Sequence, residues 1–271
     1  MTIDRLQAHW GFTRMPFGRD LAPGMLFGSR AHAEAVARIT WLIGEGAIGV
    51  VTGEVGAGKT VATRAATAGL DHRFTVVYLG NPSVGMRGYL QQIVTALGGI
   101  PPFQTAPLVA EAMSRLDAEK SERARRVVVI CDEAHLLRAD QLEELRFLTN
   151  AGDMDASSPF ACLLVGQPTL RRRLKLGAYA ALDQRVALRY HLDGMDLAET
   201  ATYVRHHLSL AGRSDPMFSD DALALIHQTG RGLPRAVNNL AVQALVAAFA
   251  DKKSMVDEAS ARAAVTEVTS D

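Results

Sequence analysis

A chain of 271 residues carries 29 basic and 29 acidic side chains, so its formal net charge is zero. An apolar share of 48% with 21% charged residues excludes a disordered chain and a polybasic one. That length is enough for one large domain, or a domain with a smaller companion, and for a core that needs no disulfide or metal staple.

Residues 10–27 mix aromatics with Pro and Gly, and residues 1–28 are read as an N-terminal strap packing on the domain that follows. Ser29 is placed as an N-cap for a helix over 30–43, whose apolar positions follow a helical stripe. AIGVVT at 47–52 predicts a short buried strand, then a Gly-rich turn and a helix to about Gly69. FTVVYL at 74–79 predicts a second strand, and helices are expected over 88–97 and 109–120. The β-branched run at 127–131 predicts a fully buried strand, followed by a helix over 140–149 and a strand over 160–165. Cys131 and Cys162 sit inside those apolar runs without metal-ligand spacing, as buried reduced thiols would.

Strands alternating with helices predict an α/β domain over 29–192, with a parallel sheet covered by helices on both faces. Beyond residue 192 the segments 197–211, 220–229, 234–250 and 258–268 all read as helices, a small all-helical lid over 193–271 with Asp193-Gly194 at the hinge. No apolar run reaches the ~18 residues of a membrane span, and the N-terminus has no signal-peptide core. The expectation is a cytoplasmic chain with no membrane partner.

Gly53-Glu54-Val55-Gly56-Ala57-Gly58-Lys59-Thr60 matches G-x-x-x-x-G-K-[ST] between a predicted strand and a predicted helix. Its glycines let backbone N–H groups turn inward around a polyphosphate at the positive end of a helix dipole, with Val61 in the first turn. Lys59 would reach the β and γ phosphates and the Thr60 hydroxyl would hold Mg2+, so the expected ligands are ATP and Mg2+. The next buried strand ends in Asp132-Glu133. Asp132 is the expected metal ligand and Glu133 the expected polariser of the attacking water, which makes the chain an ATPase rather than a binder. His135 is assigned a local structural or relay role.

Gln167 ends the following strand, where its amide would meet the γ-phosphate or the lytic water, or else cap the next helix. Arg185 and Arg189 close the α/β domain. An arginine inserted beside a neighbouring subunit's γ-phosphate would tie hydrolysis to assembly, and a solvated helix face is the alternative. Arg235 opens a lid helix from which it would touch the nucleotide.

With these motifs in hand, the chain resembles an AAA+ ATPase of the ExeA-like group that includes the TniB and TnsC transposition ATPases. The segments carrying the resemblance are WGFTRMPF, VVTGEVGAGKT, VVVICDEAHLL, LLVGQPTLRRRL, LDQRVALRYHL and GRGLPRAVNNLAVQAL, spread over nearly the whole chain. The resemblance puts Lys59 and Thr60 in Walker A, Asp132 and Glu133 in Walker B, Gln167 at sensor 1, Arg185 at the arginine finger and Arg235 at sensor 2. Gln167 departs from the Asn or Thr common at sensor 1.

By the same resemblance, ATP-bound subunits would assemble as a ring or helical filament on duplex DNA without sequence preference. They would recruit a DDE transposase to target sites, and hydrolysis would disassemble them. Candidate DNA contacts are Arg87, placed where related assemblies face DNA, and the cluster Arg171, Arg172 and Arg173, for which a solvated helix or a subunit interface is the alternative. The runner-up implied by the resemblance is a secretion or cell-envelope assembly ATPase acting on protein partners without DNA.

Overall fold

The computed structural model describes residues 2–18, 21–150, 158 and 160–269. Arg19 and Asp20 of the expected strap, and the ends of the expected lid at 270–271, lie outside the described residues. In chain order the helices are α1 (Ile3–Trp10), α2 (Arg30–Glu45), α3 (Lys59–Ala68), α4 (Gly85–Ala96), α5 (Thr105–Ser121) and α6 (Ala139–Asn150), then α7 (Pro168–Leu174) and α8 (Ala180–Arg185). Four longer ones follow: α9 (Leu197–Leu210), α10 (Asp220–Gly230), α11 (Pro234–Ala250) and α12 (Glu258–Thr269). The strands are β1 (Ile48–Gly53), β2 (Phe74–Leu79), β3 (Arg126–Cys131), β4 (Phe160–Gly166) and β5 (Val186–Leu192).

Two compact units divide these elements: residues 34–55 with 59–192, and residues 1–33 with 56–58 and 193–271. In the first, the strands form one parallel sheet in the order β2-β3-β4-β1-β5. Every residue of β1 and β4 is buried, because helices cover both faces of the sheet and leave no position for water. One face buries Val77, Leu79, Val127, Val129 and Cys131 with α4 and α5. The other buries Val51, Val128, Ile130 and Leu163 with Ile39 and Leu42 of α2. Both cysteines are buried and free, as their apolar surroundings predict.

Ser29 caps α2 as expected, its Oγ accepting from the His32 N–H at 3.2 Å. Helices α4 and α5 begin earlier than their apolar stripes suggest. Strand β5 has no counterpart among the predicted elements because it lies at the sheet edge, where VALRYHL alternates buried with exposed or half-buried positions instead of running apolar.

In the second unit, Leu6, Trp10, Phe12 and Phe17 are buried with Tyr203, Val204, Leu240, Ala241 and Ala244. The expectation that residues 1–28 pack on the α/β domain is therefore corrected: their large side chains close the core of the C-terminal helices. Arg213 ties this arrangement down by donating to the Trp10 carbonyl while its guanidinium pairs with Asp215. The α9 helix starts in a full capping box, with Asp196 accepting from the Glu199 N–H at 2.8 Å.

The chain at the start of this helical region is held against the turn before α11. The Met195 N–H donates to the Gly232 carbonyl at 2.9 Å. Gly232 has φ +65°, and a Cβ there would lie 1.9 Å from the Met195 carbonyl oxygen. Gly232→Ala combines a disfavoured backbone with a backbone clash, and is expected to cost about 2 kcal/mol or more. In circular-dichroism melting this reads as a midpoint lowered by about 4–8 °C. An unchanged midpoint would mean that the two segments separate at no cost.

Candidate functional site

The loop 53–60 leaves the buried end of β1 and enters α3 at Lys59. Gly56 and Gly58 have φ +83° and +94°, a conformation that L side chains rarely adopt and that a loop curling its N–H groups inward requires. Lys59 is 8% exposed, and its ammonium donates to the carbonyls of Gly53 and Glu54, each at 2.9 Å. A buried cation aimed along its own loop is the arrangement that a phosphate chain would complete. Residues 56–58 group with the C-terminal unit, within which the Arg235 N–H donates to the Gly56 carbonyl at 3.3 Å. Glu54, Val55 and Val61 are exposed, and Ala57 is buried.

Asp132 follows the last residue of β3 and is 6% exposed. Three donors hold its carboxylate. Thr60 Oγ1 donates to Oδ2 at 3.0 Å, Tyr78 Oη donates to the same oxygen, and the Glu133 N–H donates to Oδ1 at 2.8 Å. Burial, and then the Asp132 carboxylate, push the Tyr78 phenol well above its ordinary value, which keeps it a proton donor. Among the described residues no group of three or more His, Cys, Asp and Glu is placed to hold a metal. Paired hydroxyl and carboxylate oxygens at Thr60 and Asp132 nevertheless suit magnesium, which takes one or two protein oxygens and completes its shell with water and substrate phosphates.

Glu133 occupies the left-handed backbone region at φ 51°, with its side chain 50% exposed. Its Oε2 lies 3.3 Å from His135 Nδ1, the same nitrogen that sits 3.4 Å from the Gln167 N–H. One ring nitrogen cannot donate to Glu133 and accept from Gln167 at once, so the histidine has two mutually exclusive settings. The structural or relay role expected of His135 thus has a geometric basis. Gln167 stands at the N-cap of α7, as the capping alternative expects, but makes no side-chain capping bond, which leaves its amide for other partners.

Of the basic candidates, Arg173 is committed elsewhere. Its guanidinium donates to the carbonyls of His135 and Leu137, each at 2.7 Å, and to Tyr179 Oη at 3.2 Å. That commitment removes Arg173 from the DNA-contact set. Arg171 and Arg172 are exposed. Arg87 stacks over the exposed ring of Phe103 and donates to its carbonyl. Arg185 is half-buried and donates to the Thr149 carbonyl at 3.3 Å, whereas Arg189 is paired with Asp183 at 2.9 Å.

Tyr78 is a site residue that no motif announces. Its one signal is a hydroxyl one residue before the end of an otherwise apolar or β-branched strand. What aims it is strand register: Tyr78 pairs with Ile130, and Asp132 lies two residues further along, on the same face.

Sheet order, loop and strand-end carboxylates together define a P-loop ATPase of the AAA+ fold. Residues 43–174 match the AAA domain family, and this segment is an AAA-family ATPase domain. The chain is homologous to General secretion pathway protein A of Aeromonas hydrophila, 33% identical over 244 residues that make up 89% of this chain and 44% of that protein. It therefore spans less than half the length of that curated relative. The fold is similar to the Aeropyrum pernix ORC2 protein (TM-score 0.63, 22% identity, 93% of this chain and 70% of that one). It is also similar to Cdc6p from Pyrobaculum aerophilum (TM-score 0.66, 15% identity, 89% and 67%). A third likeness is to the RuvB Holliday junction branch migration motor of Thermotoga maritima (TM-score 0.56, 20% identity, 87% and 68%). Among the described residues no helix is long and apolar enough to cross a membrane.

Proposed function

We propose that the chain hydrolyses ATP with magnesium and uses the cycle to drive an assembly step on protein partners, as an ExeA-like secretion or envelope ATPase would. The observation that carries hydrolysis is the Asp132-Glu133 pair, with one carboxylate buried against the Thr60 hydroxyl and the next exposed beside it. In this reading the backbone of 53–61 and the Lys59 ammonium bind the phosphates, and Thr60 with Asp132 hold the magnesium. That ion neutralises charge on the phosphate oxygens when bound. Glu133 orients a water and takes its proton, and His135 sets where the Glu133 carboxylate rests. Gln167, whose N–H faces the same His135 nitrogen as Glu133, would contact the γ-phosphate or the water. Arg235 contributes from the start of α11. Arg185, which among the described residues makes no carboxylate pair whereas Arg189 does, is the arginine offered to a neighbouring subunit of a homo-oligomer. The proposed compartment is the cytoplasm, where ATP is supplied.

The relation to a secretion-pathway protein at 33% identity supports the protein-directed reading. The transposition reading, a ring or filament on duplex DNA serving a DDE transposase, has less behind it. It rests on the resemblance to the TniB and TnsC group and on Arg87, Arg171 and Arg172, beside similarity of fold to the ORC2 protein and the RuvB Holliday junction branch migration motor. Steady-state ATP hydrolysis with and without random-sequence duplex DNA at low salt separates the two. Turnover indifferent to DNA is expected. Several-fold stimulation that fades as salt rises would overturn the protein-directed reading in favour of DNA.

A further inference from the structure

We infer that Tyr78 is the positioning residue that fixes the metal-binding setting of Asp132, an inference that rests on the proposed magnesium role of Thr60 and Asp132. A carboxylate offers about four lone-pair sites, and three donors already address those of Asp132. Two of the three converge on Oδ2, from Thr60 and from Tyr78. When Thr60 turns a lone pair toward a cation, its hydroxyl proton points away from the ion and can stay on Asp132, so that this donor on Oδ2 is itself tied to the metal. The Glu133 N–H holds only Oδ1. Tyr78 is the donor on Oδ2 that does not itself touch the metal, and it keeps the carboxylate plane from rotating when its orientation determines whether the metal is bound.

The tyrosine is itself held. Its ring lies close enough to Gly80 that a Cβ there would fall 2.8 Å from the aromatic edge. Register places it across from Ile130, so the phenol reaches Asp132 along the sheet without a loop in between. Its position on the edge strand leaves 44% of the residue exposed. Tyr78→Phe keeps the ring and removes only the donor.

Partners that orient a metal ligand typically contribute about 10–100-fold to metal affinity. In the full chain, magnesium chloride is titrated against a fluorescent ATP analogue, with binding in EDTA as the metal-free reference. Tyr78→Phe should raise the half-saturating magnesium concentration about tenfold while leaving EDTA affinity unchanged. A structural defect would move both together, and that result would overturn the inference. An unchanged magnesium midpoint would also overturn it. In an Asp132→Ala background, which removes both side-chain oxygens, Tyr78→Phe should add no further shift, because its only route to the metal has been removed. An additive shift would place its action elsewhere. If wild-type binding ignores magnesium, or Asp132→Ala matches wild type, the metal reading fails and the inference falls with it. If those controls behave and Tyr78→Phe does not, Tyr78 alone is excluded.

Discussion

Glu133→Gln is expected to leave nucleotide binding intact and to lower turnover about 10²–10⁴-fold, the range that a positioned general base supplies. The substitution keeps size and hydrogen-bonding reach while removing the ability to accept a proton. Folding should be untouched, because the side chain is half exposed and its 3.3 Å contact with His135 Nδ1 can be replaced by an amide oxygen. Single-turnover hydrolysis beside equilibrium binding of a fluorescent ATP analogue checks both halves. Turnover at the wild-type rate would show that the water is activated by another group. If binding were lost as well, Glu133 would be serving the nucleotide directly. A variant that binds without hydrolysing should also hold whatever assembly ATP promotes, which sedimentation in the presence of ATP would reveal.

Lys59→Ala is expected to weaken nucleotide binding by about 10–100-fold, the worth of a charge-assisted hydrogen bond of roughly 1.5–3 kcal/mol. The side chain is 8% exposed and donates to two loop carbonyls, so its loss also leaves Gly53 and Glu54 with acceptors to satisfy. A fall in thermal stability without nucleotide is therefore expected alongside the loss of binding. Calorimetric titration with ATP, paired with melting curves of the free protein, separates the two effects. Unchanged affinity would mean that the ammonium never leaves the loop for a phosphate.

The two functional readings differ in where their support lies. The proposed catalytic residues lie at the C-terminal ends of β1, β3 and β4, the edge at which open parallel sheets bind ligands. Partner choice depends on surfaces, and those proposed for DNA are thin once Arg173 is engaged with the His135 and Leu137 carbonyls. A clamp of that kind has its own use: it steadies the segment carrying His135, and through it the resting place of Glu133. Fold similarity at 22% identity or less speaks to architecture and leaves partner choice to the experiment with duplex DNA.

Much of the site is legible in the sequence because its chemistry is local. The glycines, lysine and threonine of 53–60 are contiguous, and the backbone turn that they require can be read from their order. Asp132-Glu133 stands out as charge at the end of a β-branched run, where burial is costly without a partner. Central strands and lid helices are legible because each carries its own periodicity. Strand β5 is not, since an edge strand that is half wet loses the continuous apolar signature.

The P-loop, the acidic strand end, the parallel sheet and the helical tail are thus written in short windows of neighbouring residues, and the amino-acid order alone is enough to specify them. Three features needed the folded chain: the first residues closing the core of the last helices, Arg173 engaged with backbone carbonyls, and Tyr78 reaching Asp132. Those contacts join residues far apart in the chain. They depend on strand register and on which helix face meets which partner, and a local pattern of residue types constrains neither.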